Sequence, residues 1–589
     1  MRKVPALLIA LLCLGLAACD TAVNVDATSN VTASYSSVLV TVKEVWINES
    51  ATAGPDDATW VKFPLEEPQT LELVTATSGT LKQLATDLAL PAGTYHQMRL
   101  FLADRSESLT DSANSASATY NDQVTYIDID GNSITLPLEL ANPAQGIGIE
   151  MELKVPAASD AILAALAGSS STTSTTTTTT NNLTDTTDTS TDTSTPTRTP
   201  AATLSDTNSV TATANIVFDA ARDLTAFSFS DQRGFLLNPT LKAYDPKSVG
   251  SIQGQLDLSL IPFASSGSGK PEIQVTAEDL NEDSTRREIV ASAPVKADGT
   301  FVLYPLPLKT DKRTSTTYDL VIHGPEVRTI IIRTVPVTSG TPSSGANIAL
   351  GTLTLDPADS YAVNLAADSS VSERGARVGF YQSLPDDDVP YLIELRPVDP
   401  LSGQFAADEL VSGSSTLVYG TYASSFSLVA AEPQEGASRY AVAAVDPLYG
   451  DGDYSATLLT PPALSSNVAT FTVPAIAIPE TAAAGTIAAT IAVATAGKYD
   501  KGAVVITHNG AVVAAAPLDD ALAAGGASTV LNITNVPAST TAGFDKGLYY
   551  AETWAWNSAD PVNTFTRQAG TAAIDLRTTL TTTASLTLN

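Results

Sequence analysis

Short runs of β-branched and apolar residues alternate with turn clusters along most of the chain, a pattern typical of short β-strands. Val38–Ile47 is rich in Val, and Leu90–Leu102 places a Pro-Gly turn before an alternating strand. Tyr126–Leu136 predicts a hairpin that turns at Asp130-Gly131. Such strands recur at a spacing of about 8–12 residues. The sequence therefore predicts a mainly β protein with several β-sandwich domains in series.

The first nineteen residues follow a different pattern, in which two basic residues precede an apolar run. Arg2 and Lys3 come before Leu7–Leu16, an uncharged segment too short to span a bilayer as a permanent helix. The run ends in the order Leu16-Ala17-Ala18-Cys19. This order resembles the lipobox of bacterial lipoproteins. The alternative is an ordinary secretory signal with a cysteine near its cleavage site.

The lipobox resemblance implies that residues 1–18 are a signal peptide, with Leu16, Ala17 and Ala18 recognised by a lipoprotein signal peptidase. It also implies that Cys19 carries diacylglycerol and a further acyl chain such as palmitate, which makes the lipid bilayer its partner. Two or three acyl chains hold a protein firmly, whereas one holds it marginally. We therefore expect a lipid-anchored protein of the bacterial cell envelope. The outer membrane is favoured, and Asp20 leaves the inner membrane open because an aspartate there resembles an inner-membrane retention signal.

Several motifs in a fixed order then carry a second resemblance. They are Val42–Trp46, the strand at Trp60, Leu90–Leu100, Leu136 to Ile147, Ile216–Leu224 and Gly234–Lys242. Together they resemble the domain-of-unknown-function family 4382 over residues 23–244. The resemblance implies a β-rich, exported, usually lipid-anchored module, and it supplies no catalytic residues.

A Thr/Ser-rich insertion interrupts this first domain at residues 169–204. The segment has too few apolar side chains to offset its ordering entropy, so we expect it to be disordered. Ser159–Leu166, just before it, predicts a short helix. An O-glycosylated spacer and an unmodified flexible loop both fit this composition.

A second domain is predicted at residues 249–357, where Ser251–Leu258 forms the first strand and Asp298-Gly299 a turn. The later strand Thr317–Gly324 completes a motif order that resembles the carboxypeptidase regulatory-like domain. The resemblance implies a small prealbumin-like β-sandwich with a structural or docking role. Residues 358–480 and 481–589 predict two further β-sandwiches that resemble no family.

Composition narrows the partners without changing the predicted fold. The formal net charge is −32, from 31 Lys and Arg against 63 Asp and Glu. Nucleic acid is not an expected partner, because its phosphates require a basic surface. Anionic headgroups should also repel the chain, so a lipid must hold it at a membrane. Cys13 would leave with the signal peptide and Cys19 would be acylated, so no disulfide is expected.

Residues that commonly carry catalysis are sparse. His96, His323 and His508 are the three histidines, and they fall in different predicted domains. A catalytic triad or a two-histidine metal site is therefore not expected, and the chain is predicted not to be an enzyme. The 63 acidic residues leave a carboxylate pair for glycoside hydrolysis open.

Two acidic segments, Asp128–Asn132 and Asp446–Asp453, could offer oxygen ligands to Ca²⁺, although Asp-Gly pairs are commonly just turns. Asp446, Asp451 and Asp453 offer oxygen ligands for a structural Ca²⁺, although their spacing does not match an EF-hand loop. No other cofactor is expected. Asp386–Asp388 is most simply a solvated loop.

The surroundings of one tryptophan pair distinguish the two functions that we predict. Trp554 and Trp556 alternate onto one face of a strand, either as a carbohydrate platform or as a pair packed in a core or on a covered face. The first function is a non-enzymatic structural, adhesive or envelope-binding role, with an envelope protein as partner. The alternative is a glycan-binding lipoprotein of an uptake or degradation system, which predicts a shallow aromatic patch around Trp554.

Overall fold

The computed structural model describes most of the chain after residue 20. The described residues are 21–30, 35–54, 56–77, 79–128, 132–140, 143–156, 211–229, 232–237, 241–260, 273–281, 284–308, 316–340, 348–367, 377–398, 404–412, 417–423, 428–430, 439–446, 450–455, 458–459, 471–473, 483–508, 511–525, 527–538, 548–560, 564–570, 573–576 and 579–589. The predicted signal peptide, the Ser159–Leu166 helix and the 169–204 insertion lie outside these ranges. Strands dominate the described residues, which confirms the predicted mainly β class with several sheets.

Contact density divides the chain into two units. Among the described residues, the first comprises 21–24, 86–94, 154–156 and 211–212, and the second comprises the rest. Within the first unit, the Thr21 hydroxyl donates to the Pro156 carbonyl at 2.8 Å, and the Asp87 amide donates to the Asn24 side chain at 3.2 Å.

A twelve-stranded sheet spans the described part of the predicted first domain. Its strands are β1 (Thr21–Asn30), β2 (Tyr35–Asn48), β3 (Val61–Glu72), β4 (Lys82–Leu90), β5 (Gly93–Leu102), β6 (Gln123–Ile127), β7 (Ser133–Leu140), β8 (Ile147–Val155), β9 (Thr211–Asp219), β10 (Leu224–Phe229), β11 (Gln232–Leu237) and β12 (Lys242–Tyr244). Their order is β10-β11-β7-β6-β2-β5-β8-β12-β9-β1-β4, with β3 on β2. The helices α1 (Asp111–Ser115) and α2 (Ala220–Asp223) and the 3₁₀ turns Pro143–Gln145 and Pro246–Ser248 lie between strands.

Along the strands of this sheet, the alternation of apolar and polar residues matches the alternation of buried and exposed side chains. In β8, every odd-numbered residue from Ile147 to Val155 is buried and every even-numbered residue is exposed. This alternation is the signature of a strand with one face on a core and the other in water. The strand pairing of the predicted hairpin is also present, because β6 and β7 pair antiparallel from Gln123↔Pro137 to Ile127↔Ser133, and its predicted turn at Asp130-Gly131 lies outside the described residues.

Two sheets enclose the core of the predicted second domain. One holds β13 (Val249–Asp257), β16 (Thr300–Pro307) and β19 (Ile348–Thr354), and the 3₁₀ turn Leu258–Leu260 follows β13. The other holds β14 (Gln274–Leu280), β15 (Arg287–Pro294), β17 (Thr317–Gly324), β18 (Val327–Pro336), β24 (Leu417–Thr421) and β25 (Val429–Ala430), in the order β15-β14-β17-β18-β24-β25.

The six-stranded sheet is buried on both faces at its centre. Ile330 and Ile332 pack into the core shared with the three-stranded sheet, whereas Ile331 packs into a core on the opposite face. A strand covered on both sides needs a continuous apolar run, and Ile330–Ile332 supplies one. Because β18 pairs parallel with β24, this sheet also crosses the boundary predicted at residues 357/358.

The predicted third domain contributes two further sheets. One contains β20 (Asp359–Ala367), β23 (Gln404–Ser412) and β28 (Phe471–Val473), and the other contains β21 (Arg377–Gln382), β22 (Tyr391–Pro397), β26 (Ala441–Asp446) and β27 (Gly450–Asp451). Val378 and Phe380 of β21 pack with Ile331 and Val321 of the six-stranded sheet. The predicted second and third domains therefore share a core.

The predicted fourth domain is formed by two facing sheets around one core. The first contains β29 (Ala483–Val493), β32 (Ser528–Ala538) and β36 (Thr581–Leu588). The second contains β30 (Lys501–His508), β31 (Ala511–Pro517), β33 (Leu548–Trp556), β34 (Thr566–Ala569) and β35 (Ile574–Asp575), with α3 (Asp519–Ala523) after β31.

Candidate functional site

The predicted lipidation site lies outside the described residues. Leu16, Ala17, Ala18 and Cys19, together with Asp20, precede Thr21, the first residue that the structure describes. Acylation of Cys19 and the choice of membrane therefore stay predictions. Between residues 21 and 589, no described helix is long and apolar enough to cross a bilayer.

The predicted calcium segment lies at the β26–β27 hairpin. Asp446 pairs with Gly450 across this hairpin, Asp451 pairs with Val445, and Asp453 is exposed just beyond it. In the described ranges, no group of three or more His, Cys, Asp or Glu side chains is placed to hold a metal ion. A calcium site at Asp446, Asp451 and Asp453 stays a prediction.

The three histidines lie in separate sheets. His96 is half-buried on β5, whereas His323 and His508 are buried on β17 and β30. Burial, together with the nearby Arg396 guanidinium, lowers the pKa of His323 to about 3. That imidazole is therefore neutral across the physiological pH range.

The tryptophan pair of the last domain is buried, so the carbohydrate-platform interpretation of Trp554 is wrong. Trp554 and Trp556 are 1% and 0% exposed. The Trp554 ring meets Phe227 of β10 edge to face at 5.4 Å and Phe565 at 5.7 Å. The covered-face interpretation is confirmed, because the covering residue comes from the first sheet.

An ion cluster lies beside these rings and is here called the Arg567 cluster (Arg105, Glu139, Glu552 and Arg567). Arg567 Nη1 donates to Glu139 Oε2 at 3.2 Å, and Arg567 Nη2 donates to Glu552 Oε2 at 2.7 Å. Arg105 Nη1 donates to Glu139 Oε1 at 3.5 Å. The four side chains are between 1% and 7% exposed. Charges this deeply buried are stable only as pairs.

Strand register brings the Arg567 cluster together. Trp554 and Arg567 are cross-strand partners in the β33–β34 pair, and the guanidinium carbon lies 4.8 Å from the indole centroid. Trp554 Nε1 donates to Glu552 Oε2 at 2.9 Å. Glu139 arrives from β7, 428 residues away in sequence. The cluster thus joins the first sheet to the last domain.

Burial sets the protonation behaviour of this cluster. It raises the pKa of Glu139 to about 7, and Arg567 and Arg105 oppose that rise. The pKa of Arg567 is raised by Glu552, Glu139 and Asp104, although its burial acts in the opposite direction. Arg567 is therefore always charged, and Glu139 is the group that titrates near neutral pH.

A second ion cluster lies between the six-stranded sheet and β22 and is here called the Arg287 cluster (Arg287, Asp319, Asp387 and Tyr391). Arg287 donates to Asp319 Oδ2 and to Asp387 Oδ2, both at 2.6 Å. The Tyr391 hydroxyl donates to the same two oxygens at 3.1 and 3.0 Å. The guanidinium carbon lies 3.8 Å from the Tyr391 ring centroid.

The Arg287 cluster corrects the prediction of a solvated loop at Asp387 alone, because Asp386 and Asp388 are exposed. Asp387 is only 19% exposed because its carboxylate is held by Arg287, and Asp386 pairs with Arg333 at 3.1 Å. Nearby Glu278 accepts the Leu392 amide at 3.3 Å, and burial raises its pKa to about 8. Burial also raises the pKa of Tyr391 far above its ordinary value, with Asp319 adding to that rise.

Both clusters pair buried charges across sheet contacts, which is a structural task. Sequence analysis missed them because Arg287 and Arg567 pair with residues 15 to 428 positions away. One signal was present. Glu139 stands in the apolar strand Leu138-Glu139-Leu140, where an isolated acid requires a partner.

Comparison with solved structures finds weak similarity. A type II cohesin–X-dockerin complex from Acetivibrio cellulolyticus is 16% identical, with 19% of this chain and 59% of that chain covered and a TM-score of 0.12. The major pilin BcpA of Bacillus cereus is 11% identical, with 58% and 99% covered and a TM-score of 0.12. A putative adhesin from Bacteroides ovatus is 8% identical, with 38% and 93% covered and a TM-score of 0.13. Scores this low carry no functional argument.

Family comparison gives a result for the first domain alone. No curated protein matches the chain. The predicted carboxypeptidase regulatory-like resemblance of residues 249–357 stays a prediction. Residues 20–239 match the family described as a domain of unknown function (DUF4382), which confirms the resemblance predicted for residues 23–244.

Proposed function

We propose that this chain is a lipid-anchored, extracytoplasmic protein of the bacterial cell envelope with a non-enzymatic structural, adhesive or envelope-binding role. The observation that carries the proposal is the order Leu16-Ala17-Ala18-Cys19 after a short apolar run. That order provides an acylation site, and a net charge of −32 disfavours electrostatic attachment to anionic lipids.

The described β domains support a structural or binding role for the anchored chain. The Arg567 and Arg287 clusters pair buried charges between sheets, so the domains hold one another through specific contacts. A protein that bears load or presents a surface needs such contacts. Stability must come from these contacts and from apolar cores, since the mature chain would have no disulfide.

Substitution of Cys19 tests the anchor directly. In cells fed an alkyne analogue of palmitate, Cys19→Ser should abolish label incorporation and move the protein to the soluble fraction. Cys13→Ser is the matched control, because the other cysteine lies inside the predicted signal peptide and its loss should leave labelling intact. A Cys19→Ser chain that keeps the label, or stays with membranes in high salt, contradicts the proposal.

A further inference from the structure

A cross-strand row on the first sheet places one tryptophan between two cations. Trp46 of β2 lies directly opposite Lys62 of β3 on one side and Arg99 of β5 on the other. Because neighbouring strands are about 4.8 Å apart, the Cα atoms of Lys62 and Arg99 are roughly 10 Å apart. The Lys62 ammonium lies 3.5 Å from the Trp46 ring centroid.

Two buried aromatic rings lie beside the Trp46 indole of this row. Trp46 contacts Phe101 at 4.3 Å and Trp60 at 6.1 Å between ring centroids. Phe101 and Trp60 are each 6% exposed, and Trp60 Nε1 donates to the Gly54 carbonyl at 2.8 Å. Trp46 itself is half-buried, so part of its indole meets solvent. Trp46, Trp60, Lys62, Arg99 and Phe101 are here called the Trp46 patch.

The cations of the Trp46 patch differ from the paired arginines elsewhere. Lys62 is exposed, and neither Lys62 nor Arg99 forms an ion pair with a residue that the structure describes. Arg99 Nη1 donates to the Gln145 carbonyl at 2.7 Å, and its Nε has no hydrogen-bond partner within the described residues. Burial lowers the pKa of Arg99, and the negative charge of Asp56 opposes this shift without forming an ion pair with Arg99. The Arg99 guanidinium carbon lies 5.4 Å from the Trp60 ring centroid, so aromatic rings and not paired carboxylates face both cations.

No side chain covers Arg99 from the neighbouring strand. Gly148 of β8 is exposed, and a Cβ atom there would lie 3.9 Å from the guanidinium carbon. The Trp46 patch is formed by three of the segments that carry the family resemblance. They are the strand ending at Trp46, the Trp60 strand and the strand that contains Arg99.

We infer that the Trp46 patch binds an acidic saccharide, with a sugar ring on the exposed part of the Trp46 indole and its carboxylate between Lys62 and Arg99. The partly positive C–H face of a sugar ring suits the negative face of an indole. A carboxylate suits the planar guanidinium of Arg99, and the flexible Lys62 stem lets the ammonium leave the ring to meet it. This inference is independent of the proposed lipid anchor.

The charge of the chain favours a sugar acid over a denser polyanion. Two cations balance one or two carboxylates, whereas a nucleic acid requires a basic surface that neutralises many phosphates. A net charge of −32 adds repulsion against such a ligand.

Titration of the full chain with oligogalacturonate tests the inference. Maltoheptaose supplies sugar rings without carboxylates, and short polyglutamate supplies carboxylates without sugar rings. We expect binding to oligogalacturonate alone. Trp46→Ala and Lys62→Gln should each weaken it about tenfold, equivalent to about 1.4 kcal/mol, while the unfolding midpoint checks that each variant is folded. Asp56→Asn should strengthen binding, because it removes the carboxylate whose field opposes the ligand.

Lys43→Gln is the matched control, since it removes an equal charge from β2 at a lysine already paired with Glu107. It should bind as the wild type does. Failure of the wild-type chain to bind oligogalacturonate overturns the inference. Unchanged binding by folded Trp46→Ala and Lys62→Gln chains, or equal binding of polyglutamate, overturns it as well.

Discussion

Two tryptophan–arginine pairs in this protein have the same chemistry and different surroundings. Trp554 stacks with Arg567, which is 7% exposed and is held by Glu139 and Glu552. Arg99, the cross-strand neighbour of Trp46, has its guanidinium carbon 5.4 Å from the Trp60 ring centroid, is half-buried and has no carboxylate at ion-pair distance in the described structure. An aromatic–guanidinium pair therefore does not by itself define the role of the region that contains it. The presence of counter-ions and a cover decides whether it supports the fold or meets a ligand.

Truncation of each tryptophan should give the largest difference between the two regions. Trp554→Ala removes a fully buried ring and should lower the free energy of unfolding by about 4 kcal/mol. Trp46→Ala removes a half-buried ring and should cost about 1 kcal/mol. Urea unfolding can be followed by the fluorescence of the remaining three of four tryptophans. Equal losses in the two variants would contradict the comparison.

Neutralising each arginine should give a smaller contrast. Arg567→Gln leaves the buried Glu139 and Glu552 without their main partner, so we expect a loss of about 3 kcal/mol in the free energy of unfolding. Arg99→Gln removes one hydrogen bond to the Gln145 carbonyl and should cost about 1 kcal/mol. The same urea titration measures both. An Arg567→Gln chain as stable as the wild type would show that the cluster does not hold the domains.

Of the two regions compared, a change in pH should act on the Arg567 cluster alone, with the smallest of the three effects on stability. The folded pKa of Glu139 is about 7, above its ordinary value of 4.5, so the folded state binds more protons than the unfolded state between these values. Its contribution to stability is full below pH 4.5 and is lost as the pH rises through 7. We expect Glu139 to contribute a loss of about 2 kcal/mol between pH 5 and pH 8, measured as the difference between the wild type and Glu139→Gln, because buried Glu278 and His323 also change the pH dependence of unfolding.

Glu139→Gln is the control for the pH experiment because it removes the titrating group. Its free energy of unfolding should depend less on pH over this range than that of the wild type. Trp46→Ala should retain the wild-type slope, since Glu139 lies in the other region. A slope in Glu139→Gln as steep as that of the wild type would contradict the role of Glu139 and assign the whole effect to other groups, with Glu278 of the second sandwich as the first to examine.

Local patterns predicted the strands better than they predicted the partners of those strands. The alternation of β8 and the β6–β7 hairpin follow from neighbouring residues, as does the continuous Ile330–Ile332 run. The pairing of β18 with β24 joins strands about 90 residues apart and has no local signal. Backbone hydrogen bonds are alike at every free strand edge, so neighbouring residues alone do not indicate which edge is used.

The candidate site was harder to predict than the fold, because burial depends on what covers a face. Trp46 and Trp554 both stand in strands rich in apolar residues, and only Trp554 is covered by Phe227. The sequence predicted a solvated acid at Asp387, whereas the structure places Arg287 beside it. A charged side chain inside an apolar strand, as at Glu139, is the local sign that a distant partner is required.

The long separation of Glu139 and Arg567 has a consequence for the order in which the chain folds. The contact closes a loop of 428 residues, so it forms late and at a high cost in chain entropy. Until β34 has been made, Glu139 has no Arg567 to pair with, and Phe227 lacks the indole that covers it. A nascent or shortened chain therefore exposes an apolar, acidic edge on its first sheet, where chaperone binding or proteolysis would begin.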